Sequence, residues 1–144
     1  MSKLTEMLDK YRKSGSLGMK VGIMADKTYP GEEGKPAIKV AHVGWINDQG
    51  APHAHIPSRP FFRETVFRNQ AVIPQMVASL LKNNDPETVL RLVGEHMVGE
   101  FTDAVMTWKD PPNAQSTIDA KGYDAPLRAN DKQLRNSFSY EIEQ

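Results

Sequence analysis

His53 and His55, one residue apart in GAPHAHIPSRP (50–60), are the first candidates for chemistry. Alternate residues of an extended chain point the same way, so two imidazoles there could reach one metal ion. His42 and Asp48 stand nearby, but no fixed spacing supplies the remaining ligands, and an exposed loop with two ordinary histidines explains the run equally well. Glu95 and His96 form an acid–base pair by type, yet helical neighbours point about 100° apart. No nucleophile or oxyanion-donor motif accompanies them. The sequence holds no Walker loop, GxSxG elbow or HExxH pair, and GEEG (31–34) lacks the lysine of a phosphate cradle. Without cysteine there is no thiolate nucleophile, disulfide or Cys-ligated metal. The expectation is a protein that is not an enzyme and holds no metal or cofactor.

The other concentrated signal is RPFFRETVFR (59–68), in which Arg59, Arg63 and Arg68 interleave with Phe61, Phe62 and Phe67. Arginines on phosphates and rings on bases would serve a nucleic-acid reader. Phe61, Phe62, Val66 and Phe67, however, repeat at helical spacing, which makes the rings core and the arginines rim contacts or carboxylate partners. Lys plus Arg and Asp plus Glu each total 18, so no net charge draws a polyanion. Arginine forks and aromatic anchors are also what subunit interfaces enrich, and a proline-stiffened arm reaches a neighbour at little ordering cost. Ile56, Pro57, Arg59, Pro60, Phe61, Phe62 and Arg63 are therefore the expected interface residues, Arg59 with Phe61 or Phe62 as anchors. An arm folded back on its own domain uses the same residues.

The elements that position these residues follow from periodicity. Leu4, Met7, Leu8 and Tyr11 predict an amphipathic helix over 3–13, and MKVGIM predicts a strand at 19–24. Residues 25–35 read as an exposed loop or hairpin connection. Pro36 can open a helix over 36–48 that Gly50 stops, although Ile38, Val40 and Val43 would also suit a strand. Three prolines keep 50–60 largely extended. Pro74 interrupts or kinks a helix at 71–83. Asp85 as cap, Pro86 at the first position and an apolar stripe from Val89 to Trp108 predict a long helix over 86–108. One turn or a short helix at 116–121 and a loop at 122–131 lead to a strand at 137–143, where Phe138, Tyr140 and Ile142 alternate with polar residues. The expected architecture is α+β: one domain over 1–144, a small antiparallel sheet packed by several helices, and a Pro-rich arm near 50–60. No apolar segment approaches the roughly 18 residues of a membrane span.

Two blocks of sequence carry a resemblance. VAHVGWINDQG (40–50) running into HIPSRPFFRETV (55–66) resembles a VA-rich segment, an Asn-(Glu/Asp)-x-Gly turn and Ile-Pro-(Ala/Ser)-Arg-Pro-Phe. PPNAQSTIDAKGYDAPLRANDKQLRNSFSYEIE (111–143) resembles Pro-Pro-Asn-Ala-x-Ser-Thr-Ile-x-x-Lys-Gly, then Pro-Leu, a polar turn, Gln-Leu-Arg-Asn-Ser and a final strand. Both are similar to the neck and tail-completion proteins of tailed bacteriophages, a family related to the minor tail protein Z of phage lambda. Asn130, Asp131 and Lys132 depart from that family's Asp-Thr-Gly turn, and Gln49 stands where many relatives carry an aromatic or acidic residue.

The resemblance implies a non-catalytic virion protein of the neck or tail upper end, assembled in the host cytoplasm, that completes the tail and helps join it to the head. It implies a homo-oligomeric ring, commonly a hexamer, partnered by the head–tail connector, tail terminator or tail tube proteins. No membrane is involved, and DNA at most passes through the assembled channel. The alternative is a small DNA-binding protein of phage packaging or replication, motivated by the three arginines of 59–68.

Overall fold

A computed structural model of the chain describes residues 2–24, 26–29, 31, 33–127 and 133–144. Among them the order is α1 (Lys3–Ser14), β1 (Gly18–Ile23), β2 (Thr28–Tyr29), β3 (Ile38–Lys39), α2 (Val40–Gln49), a 3-10 turn (Pro52–Ala54), α3 (Phe61–Asn69), α4 (Val72–Leu80), α5 (Pro86–Thr107), α6 (Gln115–Lys121) and β4 (Phe138–Glu143). This is the expected α+β class. β1 and β4 pair antiparallel, with Gly18 opposite Glu143 and Ile23 opposite Phe138, so the two strands read from period-2 alternation are each other's partners. A second, minimal ladder joins β2 to β3.

α5 is the spine. Asp85 accepts the Thr88 N–H, a bond that holds its carboxyl below the usual carboxylate range, and Pro86 occupies the first turn where its missing N–H costs nothing. The apolar stripe then buries Val89, Val93, Met97, Phe101, Ala104 and Val105 against the sheet and α3. Phe101 stacks on Phe62 at 4.5 Å and on Phe138 at 5.2 Å, and Phe61 meets Phe138 edge-on at 6.3 Å. These four rings close the core with Val40, Leu127 and Leu134. Gly94 sets how closely α5 approaches the sheet. A Cβ there would lie 2.5 Å from Tyr140 Cγ and 2.8 Å from Met19 Sδ.

Several elements differ from expectation. The helix expected over 36–48 begins at Val40, because Ile38 and Lys39 are taken by pairing with β2. Pro74 is the third residue of α4, within the turn whose N–H groups lack intrahelical acceptors, so it does not interrupt the helix. The proline-rich segment does separate α2 from α3, but it folds back rather than running out as an extended arm. Ala51 and Ile56 form an antiparallel bridge around the 3-10 turn, with His55 left-handed at φ 56°. Phe67, expected in the core, is 74% exposed, since α3 turns its other face inward. The apolar stripe of α1 also stays outside: Leu4, Met7, Leu8 and Tyr11 are all exposed. The departure at Asn130, Asp131 and Lys132 lies outside the described residues.

The spine predicts opposite signs for two glycines. At Gly94, alanine forces overpacking worth roughly 1–3 kcal/mol against a helix-propensity gain of about 1 kcal/mol. At Gly99 nothing lies within 4 Å of the added methyl. Urea denaturation is expected to show Gly94→Ala less stable than the parent and Gly99→Ala more stable.

Candidate functional site

The junction of α2 and α3 is the most densely bonded polar region described. Pro60 precedes α3 and supplies no side-chain cap, which leaves the first N–H groups of the helix needing acceptors. The cap comes from α2. Asp48 Oδ1 accepts the backbone N–H groups of Phe62 at 3.0 Å and Arg63 at 3.2 Å. Its Oδ2 accepts Arg63 Nε at 2.7 Å and Gln49 Nε2 at 2.8 Å. The Asp48 carbonyl accepts Ser58 Oγ and Arg63 Nη2, both at 2.8 Å, and the Arg59 N–H donates to the Asn47 carbonyl at 2.8 Å. The carboxylate side chain is 6% exposed and its Arg63 partner 54%, so the pair is solvated on the arginine side only. Gly50 makes the turn between them possible. Its φ is 79°, and a Cβ would fall 2.7 Å from Ser58 N.

Arg59 ties this junction to the chain beyond α5. Its Nε donates to the Pro111 carbonyl at 2.8 Å and its Nη2 to the Pro112 carbonyl at 2.9 Å. The Asn113 N–H donates to Asp124 Oδ1 at 3.1 Å. Lys121 sits in the same electrostatic neighbourhood: burial first, then the Arg59 charge, lowers its pKa, and Asp124 opposes both. The two sequence blocks that carry the phage resemblance, 55–66 and 111–143, therefore meet at a guanidinium.

In front of the junction lies an open apolar groove of about 370 Å³, walled by Gly22, Ile23, Gly44, Trp45, Phe62 and Arg63. Trp45 stands on its rim 61% exposed, stacked on His42 at 6.5 Å between ring centroids. One helical turn beyond Phe62 and Arg63, Val66 and Phe67 continue the α3 wall as exposed apolar side chains.

The expected interface residues divide on this geometry. Phe61 is 1% exposed and Arg59 7%, so neither anchors a neighbour: Phe61 fills the core and Arg59 bonds its own chain. Ile56, Pro60 and Phe62 are half-buried, and Pro57 and Arg63 are exposed. The HAH segment is turned rather than extended, so the alternation that would aim both imidazoles one way does not form. Among the described residues no three His, Cys, Asp or Glu side chains gather as ligands. His96 links helices instead, its Nε2 lying 2.9 Å from Asn69 Oδ1 and 3.9 Å from Glu100. Of the three arginines that suggested nucleic acid, Arg59 and Arg63 are engaged by carbonyls and Asp48. The capping role of Asp48 was missed by sequence reasoning. The signal for it was a helix start at Phe61 with proline, rather than Ser, Thr, Asp or Asn, in the capping position.

No family model, curated protein or solved structure matches the chain. No helix among the described residues is long and apolar enough to cross a membrane.

Removing the Asp48 carboxylate strands two helix N–H groups and takes the Nε partner from Arg63, which stays solvated and bonded to the Asp48 carbonyl. Asp48→Ala is expected to cost about 2–4 kcal/mol, and Asp48→Asn less because its amide oxygen still accepts from Phe62 and Arg63. Chemical denaturation checks the order; an alanine variant as stable as the parent contradicts the capping role. Arg59→Lys keeps the charge but loses the planar fork that spans two carbonyls. Limited proteolysis is expected to cut 109–114 faster in that variant, with the same fold by circular dichroism.

Proposed function

We propose that this chain is a structural subunit of a tailed-phage neck or tail upper end, non-catalytic, and assembled as a homo-oligomeric ring that completes the tail and helps join it to the head. The observation that carries the reading is the meeting of the two resemblance blocks. Residues 52 and 53 positions apart in sequence, Arg59 with Pro111 and Pro112, are bonded through one guanidinium. A pattern shared with neck proteins in two distant stretches is what a common scaffold would require if those stretches hold each other in place.

The surface supports the same reading. Trp45 at the groove, Val66 and Phe67 one turn further along α3 than its lining residues, and Leu4, Met7, Leu8 and Tyr11 on α1 are large apolar side chains left in contact with water. The four on α1 share one helical face, and apolar faces of this kind mark protein contact surfaces. Two different patches on one subunit suit heterologous contacts, which close into rings. The contact role expected of Arg59 and Phe61 passes to Trp45, Phe62, Val66 and Phe67, with the Asp48–Arg63 pair fixing the helix that presents them.

Deleting the gene from the phage or prophage that carries it is expected to give heads and tails that remain unjoined, or tails of aberrant length, under the electron microscope. Labelled subunit is expected at the head–tail junction of complemented particles. Normal infectious particles from the deletion would overturn the reading.

A further inference from the structure

The β1–β4 pair is a two-stranded sheet, and such a pair is marginal unless another layer or strand supports it. α5 covers one face. Among the described residues no backbone hydrogen bond reaches the outer edge of either strand. Both strands are six residues long. Neither contains a proline or an inward-pointing charge, so what guards these edges is the outward charge of Lys20, Glu141 and Glu143, which opposes a like-charged partner and admits an opposite one. The alternation is clean. Met19, Val21, Phe138 and Tyr140 face α5 and the core, while Lys20, Glu141 and Glu143 face outward.

Charge chooses among the ways a second copy could add to these edges. β4 against β4 about a two-fold axis sets glutamates opposite glutamates, and β1 against β1 sets Lys20 against itself; like charges across strands destabilise. β4 against β1 sets lysine against glutamate. Inside the subunit this combination already holds: Lys20 is the register partner of Glu141, and its Nζ lies 2.6 Å from Glu143 Oε1. The same register is open between copies. In an antiparallel pair alternate residues turn their N–H and C=O groups outward, and the outward residues of β4 are the register partners of the outward residues of β1.

We propose that β4 of one copy pairs antiparallel with β1 of the next, Glu141 and Glu143 facing Lys20 of the partner subunit, so that a continuous sheet runs around the ring. The inference rests on the homo-oligomeric reading above and names its contact. The pairing is heterologous, each copy offering β4 on one side and β1 on the other, which is the arrangement that closes into a ring when the rotation permits. It also completes the apolar inner face, since the alternation of β4 continues in register onto the neighbouring β1.

Native mass spectrometry of the full chain tests this with two charge-reversed variants, Lys20→Glu and the double variant E141K/E143K. Wild type is expected to form a closed oligomer, and each variant alone to remain monomeric. An equimolar mixture of the two is expected to reassemble, with the variants alternating. Within each variant the intrachain pair stays mismatched, so recovery on mixing reports contacts between chains. If either variant fails to fold by circular dichroism, the triple variant K20E/E141K/E143K restores both sets of pairs. It is expected to assemble with itself and to exclude wild type. Assembly of folded Lys20→Glu alone at the wild-type level, a folded mixture that stays monomeric, free co-assembly of the triple variant with wild type, or a wild type monomeric at every concentration would each overturn the pairing. An oligomer indifferent to these charges sinks the strand contact and leaves the neck reading intact. Assembly that follows the charges in a protein absent from particles does the reverse.

Discussion

The buried carboxylate of Asp48 organises the part of the molecule on which the functional reading rests. α3 begins after a proline with no acceptor of its own, and a helix start without one leaves N–H groups exposed to a desolvation cost. Asp48 meets that cost from another helix, accepting two of those N–H groups and the Arg63 side chain at once. A single anion thus fixes the angle and spacing of α2 and α3. Those two helices bring Trp45 and Phe62 to the groove and leave Val66 and Phe67 at its continuation. The Pro-rich turn is pinned by the same residues, because Ser58 and Arg63 both bond the Asp48 carbonyl.

Behind that junction the subunit depends on close approach. Gly94 lets Tyr140 and Met19 settle against α5, and the stacked rings of Phe62, Phe101 and Phe138 join α3, α5 and β4 into one core. Arg59 adds the stretch following α5 to this body through its two bonds to the Pro111 and Pro112 carbonyls. The result is a body whose polar ties are internal, with apolar side chains of α1, α2 and α3 exposed and, among the described residues, no backbone partner on the outer edges of β1 and β4. Exposed apolar surface of this kind is what the proposed assembly would bury.

What could be read from the residues, and what could not, divides along the range of the interactions. α1, α5, β1 and β4 were legible because their signals are local: the spacing of Leu4, Met7, Leu8 and Tyr11, Asp85 as cap, Pro86 at a first turn, and alternation in MKVGIM and FSYEIE. The β2–β3 ladder was not, since two residues per strand leave no period to detect and Ile38 with Lys39 also fits a helix start. Helical spacing in 61–67 revealed α3 but not which side of it would face inward. Phe61 and Phe67 are equally apolar, and only the position of α5 and β4 decides that one is buried and the other exposed.

The sequence by itself determined the α+β class, the long capped helix and the two principal strands, all of which depend on residue type and spacing over a few turns. Only the tertiary structure decided the fates of Arg59, Phe61 and Asp48. Whether an arginine anchors a neighbour or bonds Pro111 and Pro112 depends on where a chain segment some fifty residues later returns. Likewise a carboxylate becomes a cap only when an uncapped helix is placed within hydrogen-bond reach of it. Local free energies choose the elements, but the partners of buried polar groups are chosen by packing, which no local pattern encodes.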